Sequence, residues 1–168
     1  MEPLVDTVIE DARWLDVGLA PLAEAAAVAT LTALGVPVAG FSICVMGCDD
    51  ARIAALNADF RGKPVPTNVL SWPSDQREAE DAGTRPDLPA PGSADDPESL
   101  GDIALAFETC TAEASAAGQP VPDHVTHLIV HGVLHLLGYD HIDDADAELM
   151  ETTEIKILAS LGIADPYN

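Results

Sequence analysis

Three histidines near the carboxyl end of the chain have a spacing that suits metal binding. His131 and His135 lie four residues apart, and His141 follows them after a glycine. Residues four apart in a helix lie on one face with Cβ atoms about 5–6 Å apart, so their imidazoles can share one ion. Gly138 permits the positive-φ turn that ends a helix, and the chain can then return to present His141. The spacing therefore predicts a metal site on His131, His135 and His141.

The same stretch follows the H-E-x-x-H-x-x-G-x-x-H zinc motif of metzincin proteases, with one change. Gly132 stands where that motif has the glutamate that serves as the base of peptide hydrolysis. Three neutral imidazoles leave zinc its full charge and a fourth position for water, which is the arrangement of catalytic sites. Such a water has a pKa of about 7, so hydroxide is available at neutral pH. We therefore expect one catalytic Zn²⁺ ion, and Gly132 argues against a protease.

Three further residues can support this site. His127 lies one turn before His131, and His124 precedes it on the same predicted helix. Each of these two is either a ligand-supporting or substrate-contacting group or an ordinary, partly exposed helix residue. Glu154 shares a helix face with apolar residues, and a carboxylate that faces a core needs a partner. A hydrogen bond to a ligand imidazole and a structural salt bridge both fit this pattern.

A short basic segment, Arg61-Gly62-Lys63, precedes a predicted strand. The chain has 29 acidic residues against 7 basic ones and a formal net charge of -22. Such a molecule repels phosphates, so a polyanionic partner must be held at a local positive site. The planar guanidinium of Arg61 can hold a phosphate through two bonds. The spacing alone leaves a phosphate clamp and a loop with solvated charges equally open.

The elements that must position these residues follow from hydrophobic patterning. The chain has 168 residues, 48% of them apolar, which suits one compact domain with its own core. The strands are predicted at 4–9, 38–46, 68–72 and 102–107, and the helices include 21–34, 49–59, 122–138 and 143–161. Together these elements predict an α+β fold with a small mixed sheet of about four strands and about five helices. The metal site then lies on the histidine-bearing helix and the turn after it.

Residues 74–99 differ in composition from the rest of the chain. They contain four prolines and two glycines, and eight acidic residues against Arg77 and Arg85. This composition predicts a partly mobile loop within a single domain that spans residues 1–168.

The cysteine content indicates in which cellular compartment the protein is found. Three cysteines, an acidic start and no CxxC motif predict a protein of the reducing cytoplasm. Cys44 and Cys48 have a spacing that metal ligands can have, but Cys44 in an apolar strand is more simply a core residue.

The stretch at 25–48 is long enough to cross a bilayer. Gly35, Pro37 and Gly40 interrupt it, so we expect a helix, a turn and a strand, and no membrane contact.

The chain resembles the YbeY family of bacterial endoribonucleases, which are also described as rRNA maturation factors. The similarity covers roughly residues 56–73 and 100–163. Its most specific part is the sequence HGVLHLLGYDH at 131–141. The other matching pieces are Leu56-Asn57, Phe60-Arg61-Gly62-Lys63, the sequence TNVLSWP at 67–73, Leu100-Gly101-Asp102-Ile103, Met150, Glu154, Ile157-Leu158 and Leu161-Gly162-Ile163.

This resemblance implies a zinc-dependent endoribonuclease that acts on single-stranded RNA, in 3′-end maturation of small-subunit ribosomal RNA and in ribosome quality control. It implies that His131, His135 and His141 bind the metal and that Arg61 is the functionally important arginine. It also implies a cytoplasmic protein whose partners are ribosomal RNA, the small ribosomal subunit and associated factors.

Three features depart from the family pattern. Trp72 stands where phenylalanine is usual and either fills the core or stacks on a base. Asn68 replaces a common aspartate, so we assign it no acid–base role. The loop at 74–99 is long and acidic. Two other functions stay open: a metzincin-like metalloprotease and a non-catalytic, metal-stabilised ribosome assembly factor.

Overall fold

The computed structural model describes residues 3–75, 77, 79, 81–140 and 143–167. The described residues form four strands and six helices, which confirms the predicted α+β class. The elements in chain order are β1 (Val5–Ile9), α1 (Arg13–Val17), α2 (Leu19–Ala33), β2 (Phe41–Cys48), α3 (Asp50–Arg61), β3 (Val69–Pro73), β4 (Glu98–Ala106), α4 (Phe107–Ala117), α5 (Val121–Leu136) and α6 (Asp144–Ser160).

The four strands form one mixed sheet in the order β1-β2-β4-β3. β2 pairs in parallel with both β1 and β4, and β3 pairs antiparallel with β4 at the edge. Parallel neighbours need a crossover connection, which helix α2 provides between β1 and β2. In the β3–β4 pair Ser71 lies opposite Ile103, and Trp72 lies opposite Asp102. Because side chains alternate along a strand, these two pairs face opposite sides of the sheet.

The two faces of the sheet are covered very differently. Helices α2 and α5 pack on one face and bury the main core, which includes Ile43, Ile103 and Leu134. The other face, which we call the α3 face, has a smaller core under α3. Its buried members are Cys48, Ile53, Leu70, Ala104 and Ala106. Met46, Leu56 and Trp72 are only partly buried against this small core. One side of the sheet is therefore thickly covered and the other is partly open.

Two helices were not predicted from the sequence. α4 follows β4 without a loop, and it begins at Phe107, which was expected to end the strand. Neither α4 nor the five-residue α1 has a side-chain cap at its amino end, so both lack the usual start signal. β4 begins at Glu98, inside the stretch expected to be a loop.

The chain between β3 and β4 forms neither helix nor strand in the residues that the structure describes there. The assignment of a single domain to residues 1–168 stays a prediction. The uncharged stretch at 25–48 forms part of α2, a turn and β2, as expected. Within the described ranges, no helix is both long and apolar enough to cross a membrane.

Candidate functional site

Helix α5 carries four of the chain's five histidines. Pro122 lies in its first turn, where a missing N–H costs no helix bond, and Asp123 adds a negative charge at the positive end of the helix dipole. The residues that α5 buries are Val125, Leu128, Ile129, Val130, Gly132, Val133, Leu134 and Leu136. The four histidines lie on the remaining side and are half-buried. The apolar periodicity therefore fixes the side on which the imidazoles project.

The end of α5 agrees with the stop signal in the sequence. The helix ends at Leu136, and Gly138 has a φ of 100°, a conformation that favours glycine. Arg77 from the acidic loop donates from Nη1 to the carbonyl oxygen of Leu136 at 2.9 Å, so the loop satisfies a free carbonyl at the helix end. Sequence reasoning missed this role, because a lone arginine in an acidic loop forms no pattern.

The four imidazoles of His124, His127, His131 and His135 form a line along α5, which we call the histidine row. Neighbouring ring centroids along it are 6.3, 6.4 and 4.5 Å apart, and each pair of rings meets edge to face. The spacing is shortest between His131 and His135. These two rings are the part of the row that can share one ion.

The ring nitrogens of His131 and His135 are arranged as in a metal site. Their Nε2 atoms lie 3.0 Å apart. Nδ1 of His135 lies 2.9 Å from the carbonyl oxygen of Tyr139, and Nδ1 of His131 bonds a carboxylate oxygen of Glu154. Carbonyl and carboxylate oxygens only accept, so each Nδ1 carries a proton, and in the neutral form of each ring the lone pair is then on Nε2. Two neutral imidazoles in this arrangement direct both lone pairs toward one point, where a shared cation can bind.

The distance between the two Nε2 atoms also fits zinc. Two nitrogens bound at 2.0–2.1 Å to one tetrahedral ion lie about 3.3 Å apart, close to the observed separation. Ligand histidines usually donate their other N–H to a carboxylate or a carbonyl. His131 donates to the carboxylate of Glu154, and His135 donates to the carbonyl of Tyr139. His141, the third predicted ligand, lies outside the described residues. The described donors thus fit two ligands of the predicted ion, and the full set stays a prediction.

Glu154 on α6 anchors the middle of the histidine row. Its side chain is fully buried. One oxygen accepts from His131, and the other lies 3.1 Å from Nε2 of His127. Burial raises the pKa of Glu154, but the hydrogen bonds from His127 and His131 outweigh it and bring that pKa to about 2. The structure shows a hydrogen bond from His131 to Glu154 and places His127 beside that carboxylate, and both interpretations made from the sequence fit these contacts.

Tyr167, in the tail after α6, completes this cluster. Its hydroxyl donates to Oε2 of Glu154, and its ring meets the ring of His127 edge to face at 5.7 Å. Burial raises the pKa of Tyr167, and the hydrogen bond to Glu154 raises it further, so the phenol stays a donor. Sequence reasoning missed Tyr167, because an aromatic residue in a terminal segment belongs to no periodic pattern.

The other end of the histidine row is linked to the start of β3 through Glu113 of α4. Nε2 of His124 lies 2.9 Å from Oε1 of Glu113, and the amide of Asn68 donates to the same oxygen at 3.0 Å. Asn68 directly precedes β3 and lies five residues after Lys63, where the basic segment ends. Glu113 therefore joins the start of α5 to the start of β3, a link that needs α4, which the sequence did not predict.

Arg61 is the last residue of α3, and its side chain is exposed. Buried Asn57 holds the segment after it by donating to the carbonyl of Val65 at 3.0 Å. Among the described residues, no hydrogen bond or ion pair joins Arg61 to the histidine row. The structure thus brings His131 and His135 into contact with each other and leaves Arg61 on a separate element.

Gly132 has a structural reason to be a glycine. It is buried, and a Cβ atom there would lie 3.0 Å from Cδ1 of Ile103 on β4. A glutamate at this position would point into the main core, away from the imidazoles. The missing base of the protease motif is therefore tied to the close approach of α5 to the sheet.

The two cysteines with metal-ligand spacing do not form a site. Cys44 and Cys48 both lie in β2, where four residues span about 13 Å, so they cannot share one ion. Cys48 is buried and donates to the carbonyl of Leu105. Cys44, which the sequence predicted to be a core residue, is only half-buried and lies at an open surface of the sheet, so that prediction was wrong.

Comparison with known proteins points to one family of enzymes. A family model described as Endoribonuclease YbeY matches residues 17–162. The chain is 64% identical over 167 residues to the Endoribonuclease YbeY of Cereibacter sphaeroides, covering 99% of this chain and 100% of that protein. It is 57% identical over 163 residues to that of Paracoccus denitrificans, covering 97% and 89%. A solution structure from Thermotoga maritima shares the fold, with a TM-score of 0.54, 18% identity, and 98% and 99% coverage.

Proposed function

The chain belongs to the YbeY family of endoribonucleases, and on that premise we propose that it is a zinc-dependent enzyme that cleaves single-stranded RNA. The observation that carries the metal dependence is the pair of Nε2 atoms of His131 and His135, 3.0 Å apart, with each Nδ1 anchored to an oxygen. We assign one ion to His131, His135 and His141. When bound, such an ion supplies Lewis-acid polarisation and lowers the pKa of a water molecule to about 7.

The residues of the chain prepare this chemistry by fixing protons and orientations. Glu154 and the Tyr139 carbonyl hold the Nδ1 protons of His131 and His135, so both Nε2 atoms point in the productive direction. His127 and Tyr167 in turn hold the carboxylate of Glu154. These hydrogen bonds orient the imidazoles before a substrate arrives, which lowers the cost of organising the transition state.

Arg61 is proposed to hold the scissile phosphate. Its guanidinium can form two parallel bonds to phosphate oxygens and can neutralise the charge that develops during cleavage. Its exposed position at the end of α3 leaves it accessible to a large substrate. Because the rest of the chain is strongly acidic, the RNA backbone must be held by such local cations.

The biological setting that we propose follows from family membership. It is 3′-end maturation of small-subunit ribosomal RNA and ribosome quality control in the cytoplasm, with the small ribosomal subunit and associated factors as partners. In this proposal residues 1–168 act as one domain.

A cleavage assay with parallel metal analysis tests the proposal. Purified wild type is compared with His135→Ala, Arg61→Ala and, as a matched control, His124→Ala from the far end of the histidine row. We expect His135→Ala to lose both metal and cleavage of single-stranded RNA. Arg61→Ala should keep the metal and lose at least about a hundredfold in rate. His124→Ala should keep both, and all four proteins are purified identically to exclude a contaminating nuclease.

The outcomes separate the competing functions. Full cleavage by metal-free His135→Ala would overturn the proposal. A metal-loaded, folded wild type without turnover on RNA would point to an assembly factor, and turnover on peptides alone would point to a protease. The product ends identify the attacking group: 2′,3′-cyclic phosphates indicate the neighbouring 2′-hydroxyl, and 5′-phosphates with 3′-hydroxyls indicate water.

A further inference from the structure

The α3 face of the sheet carries an open groove of about 380 Å³. Leu56 and Phe60 of α3 form one wall, and Met46 and Trp72 of the sheet lie opposite. We call this space the α3 groove. It exists because α3 covers only part of the sheet, and no residue of the histidine row lines it.

Two aromatic rings at this groove are open to solvent. The Phe60 side chain is 64% exposed, and Trp72 is half-buried. Their ring centroids lie 5.0 Å apart with an interplanar angle of 56°. Exposed aromatic faces are the platforms on which single-stranded nucleic acids stack their bases. The α3 groove therefore offers a surface that a flat, uncharged base can cover.

Two cations follow Phe60 closely in the chain. Arg61 is the next residue and Lys63 comes two residues later, both exposed. Neither has an ion-pair partner among the residues that the structure describes, whereas Arg52 of the same helix pairs with Glu10 at 3.2 Å. Two cations without a carboxylate partner are notable in a chain with 29 acidic residues. They are suited to phosphates on either side of a stacked base.

The lining of the α3 groove includes one acidic and one basic residue. Asp102 pairs across the sheet with Trp72, and Arg52 lies on the α3 side. The carboxylate of Asp102 repels phosphates, and Arg52 is already paired with Glu10. We therefore expect the base to enter the groove and the phosphates to lie outside it, toward Arg61 and Lys63.

We propose that Phe60 and Trp72 form a base-stacking subsite and that Arg61 and Lys63 hold the phosphates beside it. The subsite rests on the proposed function, because it takes the RNA whose scissile phosphate Arg61 is assigned to hold. It accepts any base, since every base has a stacking face. It favours single strands, because bases of a duplex are already stacked on their neighbours.

Tryptophan fluorescence tests the subsite directly. The chain has two tryptophans, and Trp14 is fully buried, so quenching by a ligand reports on Trp72. The probe is a short 2′-O-methyl oligouridylate, which lacks the 2′-hydroxyl nucleophile, added to the metal-loaded protein. We expect saturable quenching with the wild type and about tenfold weaker binding with Phe60→Ala. Phe60→Tyr should restore binding, and Leu88→Ala, which removes a similarly exposed side chain at 59%, should leave it unchanged.

Cleavage of unmodified RNA by the same preparations separates this subsite from the proposed function. Phe60→Ala should raise KM and leave kcat nearly unchanged, because the side chain touches the substrate away from the reacting atoms. Wild-type affinity in Phe60→Ala, or binding without quenching, would overturn the subsite even where cleavage persists. Quenching by oligolysine but not by the oligouridylate would also overturn it, and would assign the α3 groove to a basic protein segment.

Discussion

The histidine row and the end of α3 are built in opposite ways. His131 and His135 are half-buried, and the Nδ1 atom of each is hydrogen-bonded to an oxygen of the protein. Phe60 and Arg61 are exposed, and the side chain of Arg61 has no hydrogen bond or ion pair with another described residue. Metal ligands gain from fixed orientation, since a loose ligand loses affinity. Groups that hold a long flexible substrate gain from accessibility, so a single enzyme can need both arrangements.

The largest effect that tests this contrast is expected at Glu154. Glu154→Gln keeps the size of the side chain but removes the negative charge that holds the Nδ1 proton of His131. Loss of such a supporting group typically costs 10–100-fold in metal affinity. We expect zinc affinity, measured by chelator competition, to fall within that range. Glu151→Gln is the matched control on the same helix, because Glu151 is exposed.

A second variant weakens the support of the metal site by Glu154 without removing it. Tyr167→Phe removes only one of the hydrogen bonds to Glu154, so its loss of affinity should be smaller than that of Glu154→Gln. Equal zinc affinity in wild type and Glu154→Gln would mean that the carboxylate does not support the metal, and the contrast between the two regions would then lose its basis.

The same contrast explains what the sequence predicted and what it did not. The spacing of His131 and His135 could be converted into a site, because helical geometry turns a separation of four residues into a shared face. The four strands and the larger helices were found for the same reason. Glu113 and Tyr167 were missed because their contacts join residues 45 and 13 positions apart, to Asn68 and to Glu154, and no local period encodes such pairs.

The packing beneath the histidine row gives the second test. Gly132→Ala places a methyl group 3.0 Å from Cδ1 of Ile103. Alanine normally stabilises a helix relative to glycine by about 1 kcal/mol. Here we expect a net destabilisation of about 1–3 kcal/mol in urea unfolding, because the core must move to admit the methyl group. Arg61→Ala, at the exposed end of α3, should change the free energy of unfolding by less than about 0.5 kcal/mol.

A compensating change identifies the cause. Ile103→Val removes the Cδ1 atom that the new methyl group meets, so the double variant should recover part of the loss. Stability of Gly132→Ala equal to or above that of the wild type would show that the glycine is not required by packing. The base of the protease motif would then be missing for another reason.

The last test concerns the three thiols, of which Cys48 and Cys110 are buried and Cys44 lies at the α3 groove. Burial raises the pKa of both Cys48 and Cys110 to about 12, from a usual value of 9.0. At pH 8 this lowers their thiolate fraction about a thousandfold, so they should resist iodoacetamide. Burial also raises the pKa of Cys44, with a further contribution from Asp102, but Cys44 is half-buried and lines the α3 groove. Mass spectrometry should therefore find Cys44 alkylated first.

Protection of Cys44 tests whether a ligand occupies the α3 groove. If the stacking subsite is occupied, a bound oligouridylate should slow alkylation of Cys44 several-fold, and Phe60→Ala should need about tenfold more oligouridylate for the same protection. Alkylation at an unchanged rate in the presence of bound oligonucleotide would place the ligand away from the α3 groove. RNA would then be held elsewhere on the molecule, and exposure at the end of α3 would need a different explanation from substrate binding.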